Sequence, residues 1–462
     1  MKRGLCLLVT GTLMAAMAAG CGGTDGKGGA EDGAQNNTQG NAQENQQEET
    51  GGGADGESAG NGENQIKEVI KVLSVGTEAD QYTKTMRELA EEFSRNNEYG
   101  VTVEFELYEN EQYKTKLATL MASNNVPDIF FTWELGYLEP FVSSGKVMSL
   151  QEALDADPAW RDSFLEGVLD YFTYDGETYA IPSQIAYGTM FYNQAIFEEY
   201  QLQAPETYEE FCHVCEVLKE NGVAPMALAG SEAWIPAQFI LQLTLGTGGA
   251  ETYNAIMKGE EVWNNEAYIQ AAAEAQKMVE KGWFADGMLA MSYDEAIMKL
   301  ESGEAAMYYM ASWDASGFVA DSCPIKDTIR TFNMPPVKPE HKNLVVGSAD
   351  TAYALGKDCA NPEACIAFLK YITSKDWQER DLAANAKMPT VSVEVNEQEL
   401  SPLVASITNN LKDASVYPWW DRAFGTGEGE AFNNACLAVF GGEDVQGAFD
   451  ELQQFAESNA DR

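Results

Sequence analysis

Four loop or strand-end stretches of the chain set a tryptophan beside a charged side chain: Trp133-Glu134, Glu232 with Trp234, Trp313-Asp314, and Trp419-Trp420-Asp421-Arg422. Each lies after a strand-like apolar run or in a loop rather than at helical core spacing. An indole offers a flat apolar plate, and a neighbouring charge offers fixed hydrogen-bonding atoms. The pairing suits a ligand with C–H faces and a hydroxyl rim, a sugar above all. Of Trp419 and Trp420, one is expected to stack on ligand and the other to pack inward. Glu78, in the loop after the first strand, joins the candidates, with Asp350 and Tyr353 behind it. Trp160, Trp263, Trp283 and Trp377 lie among helix-like patterns and read as packing.

Other chemistries fit the residues less well. Acids beside aromatics could cage a cation such as a polyamine or a metal. Tyr308-Tyr309 could suggest phenolate ligation of iron, but neighbours on a strand point to opposite faces. A secreted carbohydrate-active enzyme would use two carboxylates, and 73 acidic residues guarantee close pairs by chance. With two histidines, imidazole catalysis and multi-histidine metal sites are not expected. Cys212-His213-Val214-Cys215 sits in an apparent helix with no second such pair, so free buried thiols are expected rather than a metal. Whether any of the six body cysteines are bridged does not follow from the sequence. No phosphate-binding loop occurs, and Gly246-Thr247-Gly248-Gly249 lacks the rest of a dinucleotide fingerprint. The chain therefore reads as a non-enzyme with no cofactor and no metal. A net charge of −44 repels nucleic acid.

The elements that must position these side chains begin after residue 65. Lys2 and Arg3 followed by the apolar stretch Leu5 to Ala19 form an export signal too short to span a bilayer. It ends in Ala18-Ala19-Gly20-Cys21, which resembles the bacterial lipoprotein signal, so residues 1–20 are expected to be removed and Cys21 acylated. Two acyl chains suffice for anchoring. Residues 21–65 then read as the lipidated cysteine and a linker without an aromatic or large aliphatic side chain, which cannot build a core. Gly56-Glu57-Ser58-Ala59-Gly60 matches a nucleophile-elbow pattern, but it lies in this linker, with no strand before it.

In the body, Val69 to Val75, Val101 to Leu107 and Asp128 to Phe131 read as strands alternating with helices around Tyr82 to Phe93 and Tyr113 to Met121. A β-α-β-α-β order predicts a parallel sheet. A second α/β unit follows: strands at Thr189 to Tyr192, Pro225 to Leu228 and Ala305 to Met310, with helices near 194–200, 208–219, 267–281 and 294–300. Ala352 to Leu355 reads as a late strand. Asn361-Pro362 opens a helix through Thr373, and two more helical patterns close the chain.

The order of short motifs resembles the extracellular solute-binding proteins of bacterial ABC sugar importers, the group that includes maltose- and oligosaccharide-binding proteins. Four landmarks carry the resemblance: Pro127 to Glu134 with Gly145-Lys146-Val147; Tyr174 to Pro182 through Tyr187-Gly188 and Phe191-Tyr192-Asn193 to Pro205 to Phe211; Ser302 to Met307 ending in Ala311-Ser312-Trp313-Asp314; and Met334-Pro335-Pro336, Gly347-Ser348-Ala349, the 364–373 helix and Met388-Pro389-Thr390. Tyr208 stands where the family often has tryptophan.

The resemblance implies a two-lobed periplasmic-binding-protein-like fold (type II), two α/β lobes joined by three crossover segments with the ligand cleft between them. It places the crossovers near Ser183 to Tyr187, Met334 to Pro336 and Met388 to Thr390. Lobe 1 would comprise 66–184 plus 336–388, and lobe 2 would comprise 185–335 plus 389–462. It adds Tyr187, at the first crossover, to the ligand-binding set. It further implies a carbohydrate, expected to be an oligosaccharide, delivered to ABC permease subunits by a monomer held outside the cytoplasm on the cell membrane through Cys21.

Overall fold

The computed structural model describes residues 68–394, 396, 400–425 and 427–459. The expected leader, Cys21 and the linker lie outside the described residues. The first unit has the expected order: β1 (Val69–Val75), α1 (Gln81–Asn96), β2 (Thr102–Tyr108), α2 (Asn110–Ala122) and β3 (Ile129–Thr132). Both β2 and β3 pair parallel to β1. Helix α1 buries Met86, Leu89, Ala90 and Phe93, one face at the three-to-four spacing that marked it in the sequence. Short helices α3 (Glu139–Ser143), α4 (Gln151–Ala156) and α5 (Pro158–Arg161) then lead to a small hairpin, β4 (Thr173–Tyr174) and β5 (Glu177–Thr178).

The strand expected at Thr189 to Tyr192 is the end of a longer one, β6 (Ala180–Asn193). After it come α6 (Gln194–Glu199), α7 (Tyr208–Glu220), β7 (Ala224–Ala227), α8 (Trp234–Met257), α9 (Glu266–Glu280), α10 (Tyr293–Glu301), β8 (Ala305–Ala311), α11 (Ala315–Val319), β9 (Ile329–Phe332) and β10 (Leu344–Leu355). The chain closes with α12 (Pro362–Ile372), α13 (Lys375–Asn385), α14 (Pro402–Leu411), β11 (Ser415–Tyr417), α15 (Trp420–Ala423), α16 (Glu428–Phe440) and α17 (Val445–Asn459). Asn361 caps α12 with Pro362 at its first position, as its sequence requires.

The strands join in the order β2-β1-β3-β10-β6-β8-β7, with β11 beside β10 and β9 beside β6. Buried apolar side chains nevertheless fall into two clusters. The first gathers β1 to β3, residues up to Ile181, Ala349 to Leu355 and α12. The second gathers Ala186 to Val346 and the C-terminal helices. Strands β6 and β10 run through both. Ala180 to Gln184 pair with Thr351 to Ala354 within the first cluster, and Gly188 to Asn193 pair with β8 and β9 within the second.

Strand β6 thus passes from the first cluster to the second between Ile181 and Ala186, and β10 passes from the second to the first between Val346 and Ala349, where its register with β6 shifts between Ser348 and Thr351. Met334 belongs to the second cluster, and Pro336 packs against Gly246 of α8. A third segment runs beside β6, with the Ile185 amide donating to the Met388 carbonyl at 2.9 Å. Around it the two clusters interleave: Leu382, Ala386 and Met388 pack with the second and Val391 with the first.

All six body cysteines are free. Tyr308 and Tyr309 are both buried and point apart, Tyr308 towards Phe191 and Tyr309 towards Phe239. Among the described residues no group of His, Cys, Asp and Glu is arranged to hold a metal, and no helix is long and apolar enough to cross a membrane.

Candidate functional site

A cavity of about 710 Å³ opens where helix starts and strand ends converge. The first turns of α1, α2, α8 and α10 reach it, together with the residues after β3 and β8 and the segment Trp419 to Arg422. Helix starts leave backbone N–H groups without intrahelical partners, so the wall offers donors as well as side-chain acceptors.

One side of the cavity is aromatic. Trp234 lies 6.0 Å from Tyr293 and 6.0 Å from Trp313, and Trp313 lies 5.4 Å from Trp419, ring centre to ring centre. Hydrogen bonds hold the plates at their edges. Trp234 Nε1 donates to Glu232 Oε2 at 2.7 Å, and Trp313 Nε1 donates to the Tyr293 hydroxyl at 2.8 Å. That hydroxyl donates in turn to Asp314 Oδ1 at 2.6 Å. Burial pushes the Asp314 carboxyl up to about 7, against the pull of its hydrogen bonds. Burial also raises Glu232.

Arg422 organises the cavity's inner end. Its guanidinium pairs with Asp350 and sits 3.8 Å from Glu134 Oε2. It also lies 4.2 Å from the Trp419 ring, 5.5 Å from Trp313 and 6.0 Å from Trp133. One cation thus gathers indoles from both clusters. Asp350 is further fixed by Gln184 Nε2 at 3.0 Å and by the Thr351 hydroxyl at 3.1 Å. Glu134 is less well served: it is fully buried, and among the described residues neither carboxylate oxygen accepts a hydrogen bond. Its carboxyl is pushed up to about 7 by burial, only partly opposed by Arg422.

Backbone contact closes the same end. A Cβ on Gly136 would lie 2.7 Å from the Ala423 carbonyl oxygen and 3.0 Å from the Gly425 nitrogen, so two stretches of main chain touch with no room for a side chain.

Of the residues singled out in the sequence, Trp133, Glu232, Trp234, Trp313, Asp314, Trp419, Trp420, Asp421 and Arg422 line this cavity, as do Asp350 and Tyr353. Trp419 and Trp420 have different surroundings. Trp419 faces Arg422 and Trp313, whereas Trp420 stacks on Tyr253 at 4.1 Å and 9° and donates to the Tyr268 hydroxyl. Three placements differ. Tyr187 is fully buried and donates to the Ile407 carbonyl at 2.7 Å, because its position in β6 turns it onto α14. Glu78 is exposed and pairs with Arg87 of α1 away from the cavity. Glu134 stands behind the wall and acts on Arg422.

Tyr82, Tyr137, Tyr293 and Lys387 also line the cavity and carry no strand-end signature. Only Tyr293 had a usable signal. Ser292 and Glu295 form a capping box, which marks Tyr293 as the first residue of a helix starting at the cavity edge.

Residues 79–379 match the family described as bacterial extracellular solute-binding protein. An uncharacterized ABC transporter extracellular-binding protein of Pyrococcus horikoshii is 23% identical over 372 residues, 78% of this chain and 84% of that one. The multiple sugar-binding protein of Streptococcus mutans is 22% identical over 348 residues, 74% of this chain and 80% of that one. A solved structure described with xylan utilization by the thermophilic bacterium Caldanaerobius polysaccharolyticus is 26% identical, with a TM-score of 0.77 over 84% of this chain and 99% of that one.

Proposed function

Because the chain belongs to the bacterial extracellular solute-binding proteins, a family of binding proteins rather than enzymes, we propose that its cavity captures a saccharide and delivers it to the membrane permease of an ABC transporter. The observation that carries this reading is the aromatic wall of Trp234, Tyr293, Trp313 and Trp419, the indole edges of Trp234 and Trp313 pinned by hydrogen bonds, beside carboxylates in one cavity. Indoles cover the C–H faces of pyranose rings, and helix-start N–H groups with carboxylates serve hydroxyls, which both accept and donate. A relative named for sugar binding supports the assignment.

In this reading the two apolar clusters are two lobes, and β6, β10 and the segment around Met388 are the strands about which they rotate. Ligand bound to one wall is covered when the other closes, so contacts made only in the closed form shift the population. Closure needs both lobes free, which favours a monomer. Cys21 would carry the lipid, and residues 22–65 would span the gap between membrane and body.

The cation reading is weaker because two of the cavity's buried acids are engaged and cations stand beside them. Asp350 is paired with Arg422, Asp314 is bonded to Tyr293, and Lys84, Lys114 and Lys387 share the lining. The test is thermal unfolding with malto- and xylo-oligosaccharides, raffinose, spermidine and divalent metals. A ligand at 100 times its Kd adds about 2.7 kcal/mol to the native state. A rise with one saccharide series is expected; flat curves with every saccharide and a rise with spermidine would overturn the assignment.

A further inference from the structure

Lys387 is a buried cation for which the capture mechanism has so far no use. Its side chain is 6% exposed, and it follows Ala386, whose left-handed backbone ends α13 and turns the chain towards β6. Among the described residues its ammonium makes one hydrogen bond, to the Trp313 carbonyl oxygen at 3.0 Å, and lies 4.4 Å from the centre of the Tyr82 ring. No carboxylate comes within ion-pair distance of it among those residues. The acids around it, Asp381, Asp350, Asp314 and Asp80, act only at longer range.

The two groups it does touch belong to opposite sides of the cavity. Trp313 follows β8 and packs with the second cluster, and Tyr82 lies in the first turn of α1 and packs with the first. Lys387 itself precedes Met388, the residue that pairs with β6 at the crossing. A rotation that carries the end of β8 away from α1 must break either the hydrogen bond or the cation–ring contact.

We infer that Lys387 is a positioning residue that pins the aromatic wall of one lobe to the first helix of the other and so holds the cavity towards its closed form. The inference rests on the two-lobed reading above. A lysine buried without an ion pair contributes little to fold stability, since an apolar side chain of similar length avoids its desolvation. Its effect is therefore sought in lobe separation and not in the unfolding midpoint.

The experiment uses no saccharide, so it can fail while sugar capture stands, and succeed even if every sugar fails to bind. X-ray scattering and acrylamide quenching of tryptophan are compared for wild type, Lys387→Met and Lys387→Arg. K387M is expected to unfold at the wild-type temperature or above it, yet to show a larger radius of gyration and about twofold stronger quenching. K387R, which can reach both partners, is expected to match wild type.

A pH series supplies a readout that mere packing would not move. Burial lowers the Lys387 ammonium below the usual lysine range, although the four surrounding acids oppose this. Asp314, raised to about 7, and Asp381, raised to about 6, are ionised by pH 8, and burial holds the Tyr82 hydroxyl well above its usual range. As rising alkaline pH removes the Lys387 proton, wild type is therefore expected to expand while K387M does not change. Scattering and quenching identical in wild type and K387M overturn the inference. If K387M does not fold, wild type that keeps its dimensions across the pH series overturns it, and expansion supports it.

Discussion

Replacing Glu134 with glutamine tests whether the buried charge behind the aromatic wall opposes folding. The carboxyl is fully buried, and burial raises it from 4.5 to about 7. The unfolded chain releases this proton near pH 4.5 and the native chain releases it near 7. Between those values the native state therefore binds more protons, so stability falls as pH rises and stays low above 7. At 1.36 kcal/mol per pKa unit, the whole window amounts to about 3 kcal/mol. Glutamine keeps the shape without the charge, and Arg422 retains Asp350, so no cation is left unpaired. E134Q should match wild type near pH 4.5 and exceed it by up to about 3 kcal/mol at pH 8. Urea unfolding followed by tryptophan fluorescence at steps between these limits measures the difference. Other acids, Asp314 and Asp381 included, are common to both proteins and cancel in it. A difference that does not vary with pH, or a variant less stable than wild type at pH 8, would show that the Arg422 interaction outweighs desolvation and would refute the argument.

Three further outcomes separate binding from folding. Trp313→Ala should weaken saccharide affinity by 2 kcal/mol or more, roughly 30-fold, with a smaller effect on the melting temperature, measured by titration calorimetry. Trp420→Phe and Tyr187→Phe should do the reverse. Each loses a buried hydrogen bond, to Tyr268 and to the Ile407 carbonyl respectively, costing about 1 kcal/mol of stability while leaving affinity within twofold. Gly136→Ala forces a methyl against the Ala423 carbonyl and should lower stability by about 1–3 kcal/mol in denaturant unfolding. Arg422 lies on the displaced segment, so affinity should fall with it.

The first unit was legible because α1 and β2 each bury one face, so period three-to-four and period two survive in the sequence, and because β3, buried on both faces, leaves a short apolar run. Helix α8 was not expected, for the opposite reason. From Ile235 to Thr247 every residue is buried, so the segment carries no amphipathic period, and Gly246, Gly248 and Gly249 are poor helix formers. At the site, tryptophans beside charges located the indoles of the lining because an indole at a strand end has few packing partners along its own element. What escaped were residues whose role depends on distant partners. Glu134 acts through Arg422, and Lys387 acts through a carbonyl and a ring that lie far from it in the chain. Tyr187 turns onto α14 and not into the cavity, because the side to which a strand residue turns depends on register, which β10 sets only after folding.

The placement of the cations bears on how capture and closure are linked. Trp133 belongs to the first apolar cluster, and Trp313 and Trp419 to the second, yet all three lie against the Arg422 guanidinium. Asp350, which fixes that guanidinium, sits in β10 where its register shifts between the clusters. A rotation of the lobes therefore cannot leave the aromatic wall unchanged. It must move Trp133 relative to Trp313 and Trp419, or pull Arg422 from one of its acids. A ligand stacked on the wall favours the arrangement in which both sets of contacts hold, and its binding energy is expressed at the crossing strands without a separate relay. Substitutions at Arg422 should consequently change affinity and lobe separation together, whereas those at Trp234, held at its edge by Glu232 within one cluster, should change affinity alone.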